Sequence, residues 1–264
     1  MTKSSFKETL TSDLSGQPGW DAMLEDLLGL NIRGLRTIGA IFATPQKVYQ
    51  AASSKDWLGR TYTPSLRLFI SLVMLVLVLQ AFWAGPDSHL STLQTQAIQN
   101  NLNMNAPAEL LPFFDAESVW QTALISLPIA TISIMLIFAL LLRIWGKEVN
   151  AVTRVRYYFL TAIPGWIISF LISSGANSLS YSLAVSIASS SFLILIIIDT
   201  LSAWRGNPGQ YQKFARLWRS GLFGLTNFVV YTLAGIIMFT YSSRVATLKA
   251  IEAASAAGIP LTGS

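Results

Sequence analysis

Cysteine is missing from the 264 residues, and histidine occurs once, at His89. The first absence excludes disulfides, thiol nucleophiles and thiolate metal sites. The second leaves no set of histidines to hold a metal, and a Ser-His-Asp hydrolase would have to be built on His89. Charge is scarce too: 12% of residues are Asp, Glu, Lys or Arg, against about 25% in soluble domains. The chain contains no Gly-x-Ser-x-Gly nucleophile turn and no Gly-x-x-x-x-Gly-Lys phosphate loop; Gly206-Asn207-Pro208-Gly209 reads as a turn. No apolar block carries an acid near its middle, where ion-coupled transporters commonly place carboxylates. These absences point away from enzyme chemistry, and no cofactor or metal is expected.

What is abundant is apolar: 52% of the chain, in long uncharged blocks rather than the alternation of a soluble core. A helix needs about 20 apolar residues to cross about 30 Å of hydrocarbon. Five segments qualify, at about 65–84, 121–142, 157–174, 179–199 and 220–241. The third and fourth come from one uncharged run, 157–198, which as a single helix would be about 63 Å long, twice the bilayer core. The run must turn, and Ser173-Ser174-Gly175-Ala176-Asn177-Ser178 supplies the turn. The expected fold is all-α: a polytopic membrane bundle with a 1–64 preface, an 85–119 outer loop, and a 242–264 tail, Ala-rich and expected to fray.

Basic residues set the orientation. Of the 18 lysines and arginines, all except Arg244 and Lys249 fall on alternate sides of the five blocks. The positive-inside bias then puts the N-terminus in the cytoplasm and the C-terminus outside. The net charge of +5 therefore reads as topology rather than nucleic-acid binding. Trp83, Trp120, Trp145, Trp204 and Trp218 fall at the ends of the blocks, the depth that indole rings prefer. The polar start, Met1 to Leu10, gives no cleaved signal peptide. A bacterial inner membrane, with the bilayer itself as first partner, is the expected location.

Asp21 to Ala43 has helical spacing of Leu24, Leu27, Leu28, Leu35, Ile38 and Phe42. Such a helix would lie in the interface plane or pack on the bundle. Thr44-Pro45 then looks like an N-cap followed by Pro at the first helical position. In the outer loop, Leu90, Leu93, Ala97 and Leu102 suggest a short helix, and 110–114 an apolar dip towards the bilayer.

Few residues are candidates for chemistry. Arg67 sits one turn into the first span, and Asp199 ends the fourth, where it could pair with Arg67, Arg143 or Arg205. Gln121, Asn177 and Asn227, with the serines of span four, could line a polar path. Pro128 and Pro164 read as kinks, which membranes tolerate when neighbours satisfy the freed carbonyl. Ser182, Ser186 and Ser190 recur every four residues, and Gly221 and Gly224 line one side of span five. Such small residues let helices approach closely, within the bundle or between copies.

Gly34-Leu35-Arg36-Thr37-Ile38, Ala43-Thr44-Pro45-Gln46-Lys47-Val48-Tyr49 and Tyr62-Thr63-Pro64-Ser65-Leu66-Arg67-Leu68 resemble a family of uncharacterised bacterial integral membrane proteins. In that family a helix-Pro-helix preface leads into the first span. More remotely, the layout is similar to the Yip family of five-span membrane proteins, through Pro45 to Tyr49 and Gly146-Lys147-Glu148 before a span with Pro164. The resemblance implies membrane organisation or trafficking partners rather than catalysis, and the small-residue stripes add a membrane-protein partner or a second copy of the chain as expected partners. A channel or transporter subunit is the competing expectation, and a lipid-modifying enzyme on His89 or Asp199 the weakest.

Overall fold

The computed structural model describes residues 32–54, 61–83, 92, 96–100, 108–176, 179, 181–207 and 213–258. Among these every regular element is helical. In chain order they are α1 (Ile32–Ala43), α2 (Pro45–Ser53), α3 (Ser65–Trp83), a 3-10 segment (Ala108–Phe113), α4 (Ala116–Leu141), α5 (Ala151–Ala176), α6 (Tyr181–Gly206) and α7 (Lys213–Ala256). Three helices, over Ser118–Leu141, Ala151–Gly175 and Lys213–Ala256, are long and apolar enough to cross a membrane. A shorter apolar helix covers Ser65–Gln80.

The boundaries follow local chemistry. Pro45 opens α2, its missing N–H falling where a helix has no use for one. Asp115 caps α4, accepting from the Ser118 amide at 3.3 Å. Asn150 caps α5, accepting from the Thr153 amide at 2.8 Å. The α4–α5 connection turns at Gly146, whose φ of 121° lies in the region that side chains avoid.

Helix α7 packs along α4 and α6, α5 packs against α6 and α3, and α1 and α2 lean on α5 at one end. The core there is dense in rings: Trp145 lies edge-on to Tyr157 and Tyr158, and Tyr158 packs edge-on to Phe223 with centroids 5.0 Å apart. Basic residues stitch the same end. Arg156 donates to the carbonyls of Ala52 and Ser54, Arg219 to Ile144, Arg216 to Trp204, and Arg154 to Leu140.

Several expectations need correction. The turn proposed at 173–178 begins later, because α5 stays helical to Ala176 and α6 starts at Tyr181. The tail from Val245 does not fray before Ala256. Helix α7 has 44 residues, about 66 Å, and so overruns a bilayer core of about 30 Å. Its far end is held by residues of the 96–119 stretch: Ile98 and Val119 bury against Ala246, and Leu110 against Ala250 and Ala254. The small alanine side chains allow this approach, so the 108–114 stretch packs on protein. Trp145 is only 2% exposed; it is a core residue of the basic end and not a headgroup anchor, whereas Trp204 and Trp218 are exposed. The first part of the 21–43 helix lies outside the described residues. In the remainder, Gly34, Thr37 and Ile41 face the bundle, while Ile32, Leu35 and Phe42 are exposed. The inward side is the small-residue one because Thr37 ties the preface down: its hydroxyl accepts from the Thr63 amide at 2.9 Å.

Candidate functional site

The site begins with an aspartate on an apolar helix. In α6, Phe192-Leu193-Ile194-Leu195-Ile196-Ile197-Ile198 leads directly to Asp199, whose side chain is 1% exposed. Burying a carboxylate is costly unless it is hydrogen-bonded or neutralised. One oxygen is satisfied: Asn227 on α7 donates from Nδ2 to Asp199 Oδ2 at 2.6 Å. The other, Oδ1, has no hydrogen-bond partner. It lies over Gly165 of α5, where a Cβ would collide with the carboxylate. The glycine makes the space that the acid occupies.

Asn227 is fully buried and works as a hub. Its Oδ1 accepts from the Tyr158 hydroxyl at 3.1 Å, and its Nδ2 also donates to the Tyr231 hydroxyl at 3.0 Å. Asp199, Asn227, Tyr158 and Tyr231 thus form one polar knot at the junction of α5, α6 and α7. Helices α6 and α7 reach each other because Gly224 faces α6: a methyl there would lie 2.7 Å from the Ile196 carbonyl oxygen and against the Thr200 hydroxyl.

Two recesses flank the knot. A cavity of about 290 Å³ lies between α3, α4, α5, α6 and α7, and Tyr231 is part of its wall. The rest of the wall is mainly apolar, Leu127, Phe170, Phe192 and Leu195 among it, with Gln80, Thr131, Ser169, Ser173 and Ser191 among its polar points. A second crevice, of about 160 Å³, is bounded by Tyr49, Pro164, Ile198 and Leu201. Proline stands in both walls, Pro128 in the first and Pro164 in the second. Each removes a backbone hydrogen bond from its helix, loosening it beside the void.

Tyr49 closes the knot towards α2. Its hydroxyl bonds with Thr161 of α5, which itself donates to the Tyr157 carbonyl at 2.7 Å. Its ring lies over Gly206. Burial pushes the Tyr49 phenol above its ordinary range; the Thr161 bond opposes this, and Tyr157 and Asp199 add to it.

Of the residues singled out from sequence, Asp199 and Asn227 come together. Arg67 does not join them, and Arg143 stands exposed in the α4–α5 connection. Among the described residues the partner of Asp199 is an amide, not Arg67, Arg143 or Arg205: its Oδ2 accepts from Asn227 and its Oδ1 has no hydrogen-bond partner. Gly224 is a helix contact, but a Cβ at Gly221 would meet nothing within 4 Å. Ser182, Ser186 and Ser190 are exposed. Ser186 and Ser190 bond back to the Ser182 and Ser186 carbonyls, so that stripe does not pack inside the bundle. Gln121 is exposed on α4 and is not part of the cavity wall; Asn177 and His89 lie outside the described residues. Gly165, Tyr158 and Tyr231 escaped sequence reasoning. Only a heptad-like offset, Tyr158 to Gly165, marks one face of α5, and nothing in the chain says which face meets Asp199.

Compared with known proteins, the chain matches no family model, no curated protein and no solved structure.

Proposed function

We propose that this protein is a transport subunit of the membrane, in which Asp199 takes up and releases a proton or a small cation beside a cavity for a small, largely apolar solute. The observation that carries this reading is the buried carboxylate with one unpartnered oxygen. An ionisable group inside a membrane bundle is expensive to keep and commonly marks an ion or proton path. Asn227 links that carboxylate to Tyr231, and so to the wall of the 290 Å³ cavity. Occupancy of the cavity and the charge on Asp199 are thereby coupled through two hydrogen bonds.

The topology proposed with it has five spans, α3 to α7, with the basic end in the cytoplasm and the α7 extension outside, in a bacterial inner membrane. Helix α1, with Ile32 and Leu35 facing away from the bundle, lies at the inner interface. Proteoliposomes loaded with a pH-sensitive or cation-sensitive dye test the function. The wild-type protein dissipates an imposed gradient of protons, sodium or potassium faster than empty vesicles, and Asp199→Asn does not. Equal rates in all three preparations would refute it.

The second reading is non-enzymatic membrane organisation through helix–helix contacts, as a Yip-like resemblance implies. It is favoured by the outward-facing serine stripe at Ser182, Ser186 and Ser190. It predicts no flux, together with crosslinking between copies or to a membrane partner through α6.

A further inference from the structure

At the basic end of the bundle, between α2, α6 and α7, lies an open recess of about 510 Å³ lined by Thr44, Pro45, Lys47, Trp204, Arg205 and Arg216. Among the described residues no acid is part of its wall. The start of α2 faces it, and the Thr44 side chain makes no capping bond there, so the positive end of a nine-residue helix adds to the three cations. Arg216 is held in place by its bond to the Trp204 carbonyl, 2.7 Å long. Trp204 is 43% exposed, as befits an indole at headgroup depth.

The recess adjoins something apolar. Pro45 and Arg205 line both it and the 160 Å³ crevice that runs between α5 and α6. The remaining crevice wall includes Phe42, Leu160, Pro164, Ile198 and Leu201. A cationic mouth above a hydrocarbon-lined slot, at the end of a membrane bundle, is complementary to one kind of molecule.

We infer that this is a specific site for an anionic phospholipid, its phosphate in the recess with Lys47, Arg205 and Arg216 and part of one acyl chain in the crevice. A free phosphate would satisfy the cations but not the slot. A zwitterionic lipid would fill the slot but bring its own cation to the mouth. Basic pockets between helices at a membrane face recognise headgroups in this way, and each cation near an anionic surface strengthens binding several-fold.

The test is purification in mild detergent followed by native mass spectrometry, titrating phosphatidylglycerol, phosphatidylcholine, or inorganic phosphate with glycerol 3-phosphate. Phosphatidylglycerol should bind at one saturable site. The Lys47→Gln/Arg205→Gln double variant should bind it about thirtyfold more weakly, two cations having been removed. Leu201→Trp, which fills the slot and leaves the cations, should also weaken it, and it keeps the test open if the double variant does not fold. Equal binding of phosphatidylcholine, or undiminished binding in either variant, overturns the inference. So does protection by inorganic phosphate or glycerol 3-phosphate that Leu201→Trp leaves unchanged, since that would mean a phosphate site alone.

Discussion

The carboxylate cradle at Gly165 can be tested by adding a single methyl group. In Gly165→Ala the new Cβ falls on Asp199 Oδ1, and the acid is held from the other side by Asn227 at 2.6 Å. Either the helices part or the carboxylate turns away and forfeits that bond. Overpacking a filled interior costs about 1–3 kcal/mol, and losing a hydrogen bond to a charged group about 1.5–3 kcal/mol. Replacing a helical glycine with alanine returns about 1 kcal/mol. The net expectation is a destabilisation of up to about 2 kcal/mol if one of these happens and about 1.5–5 kcal/mol if both do. Gly221 and Gly235 supply the control: a Cβ at either meets nothing within 4 Å. Alanine there should be neutral or stabilising by up to about 1 kcal/mol. Reversible unfolding in mixed micelles, followed by tryptophan fluorescence, measures all three. The Gly165→Ala penalty should also shrink when combined with Asp199→Ala, because the colliding atoms are gone; this is a coupling that a double-mutant cycle isolates. A Gly165→Ala protein as stable as Gly221→Ala, or a penalty unchanged in the double variant, would refute the cradle.

Other outcomes follow from the same contacts. Asn227→Leu removes the donor to Asp199 and the acceptor for Tyr158, and should destabilise by about 3 kcal/mol or more, whereas Asn227→Asp should be tolerated better at low pH; unfolding in micelles at two pH values separates them. Gly206→Ala would drive a methyl into the Tyr49 ring and lift α2 from α6, at about 1–3 kcal/mol, seen as earlier proteolysis after Lys47 than in the wild type. The folded chain holds the Tyr49 proton more tightly than the unfolded chain does. That contribution is therefore complete below the ordinary phenol value of about 10 and is lost progressively as pH rises above it towards the higher folded-state value; Tyr49→Phe should flatten the decline in stability over that window. With no native cysteine, Lys147→Cys and Glu252→Cys report topology directly. An impermeant maleimide added to intact cells should label the second and not the first.

The sequence by itself determined the class of element and that several helices are apolar enough for lipid. Uncharged blocks such as 121–142 have to be helices if they lie in lipid, because only a helix satisfies its own backbone there. Pro45 marks a helix start that the structure keeps. Asp199 and Asn227 were visible as polar residues in apolar surroundings. That they meet was not visible, because 28 residues and a change of helix separate them, and the rotation of each helix about its axis decides which side chain faces which. The same rotation turns Ser182, Ser186 and Ser190 outward while Gly224 faces inward, though all carry the same small-residue signal. The length of α7 was hidden for a related reason. Its last turns are too polar to read as a span, and they hold their shape because Ala246, Ala250 and Ala254 find Ile98, Val119 and Leu110. Periodicity fixes what each helix is made of; only packing settles which glycine makes room for a carboxylate and which faces open space.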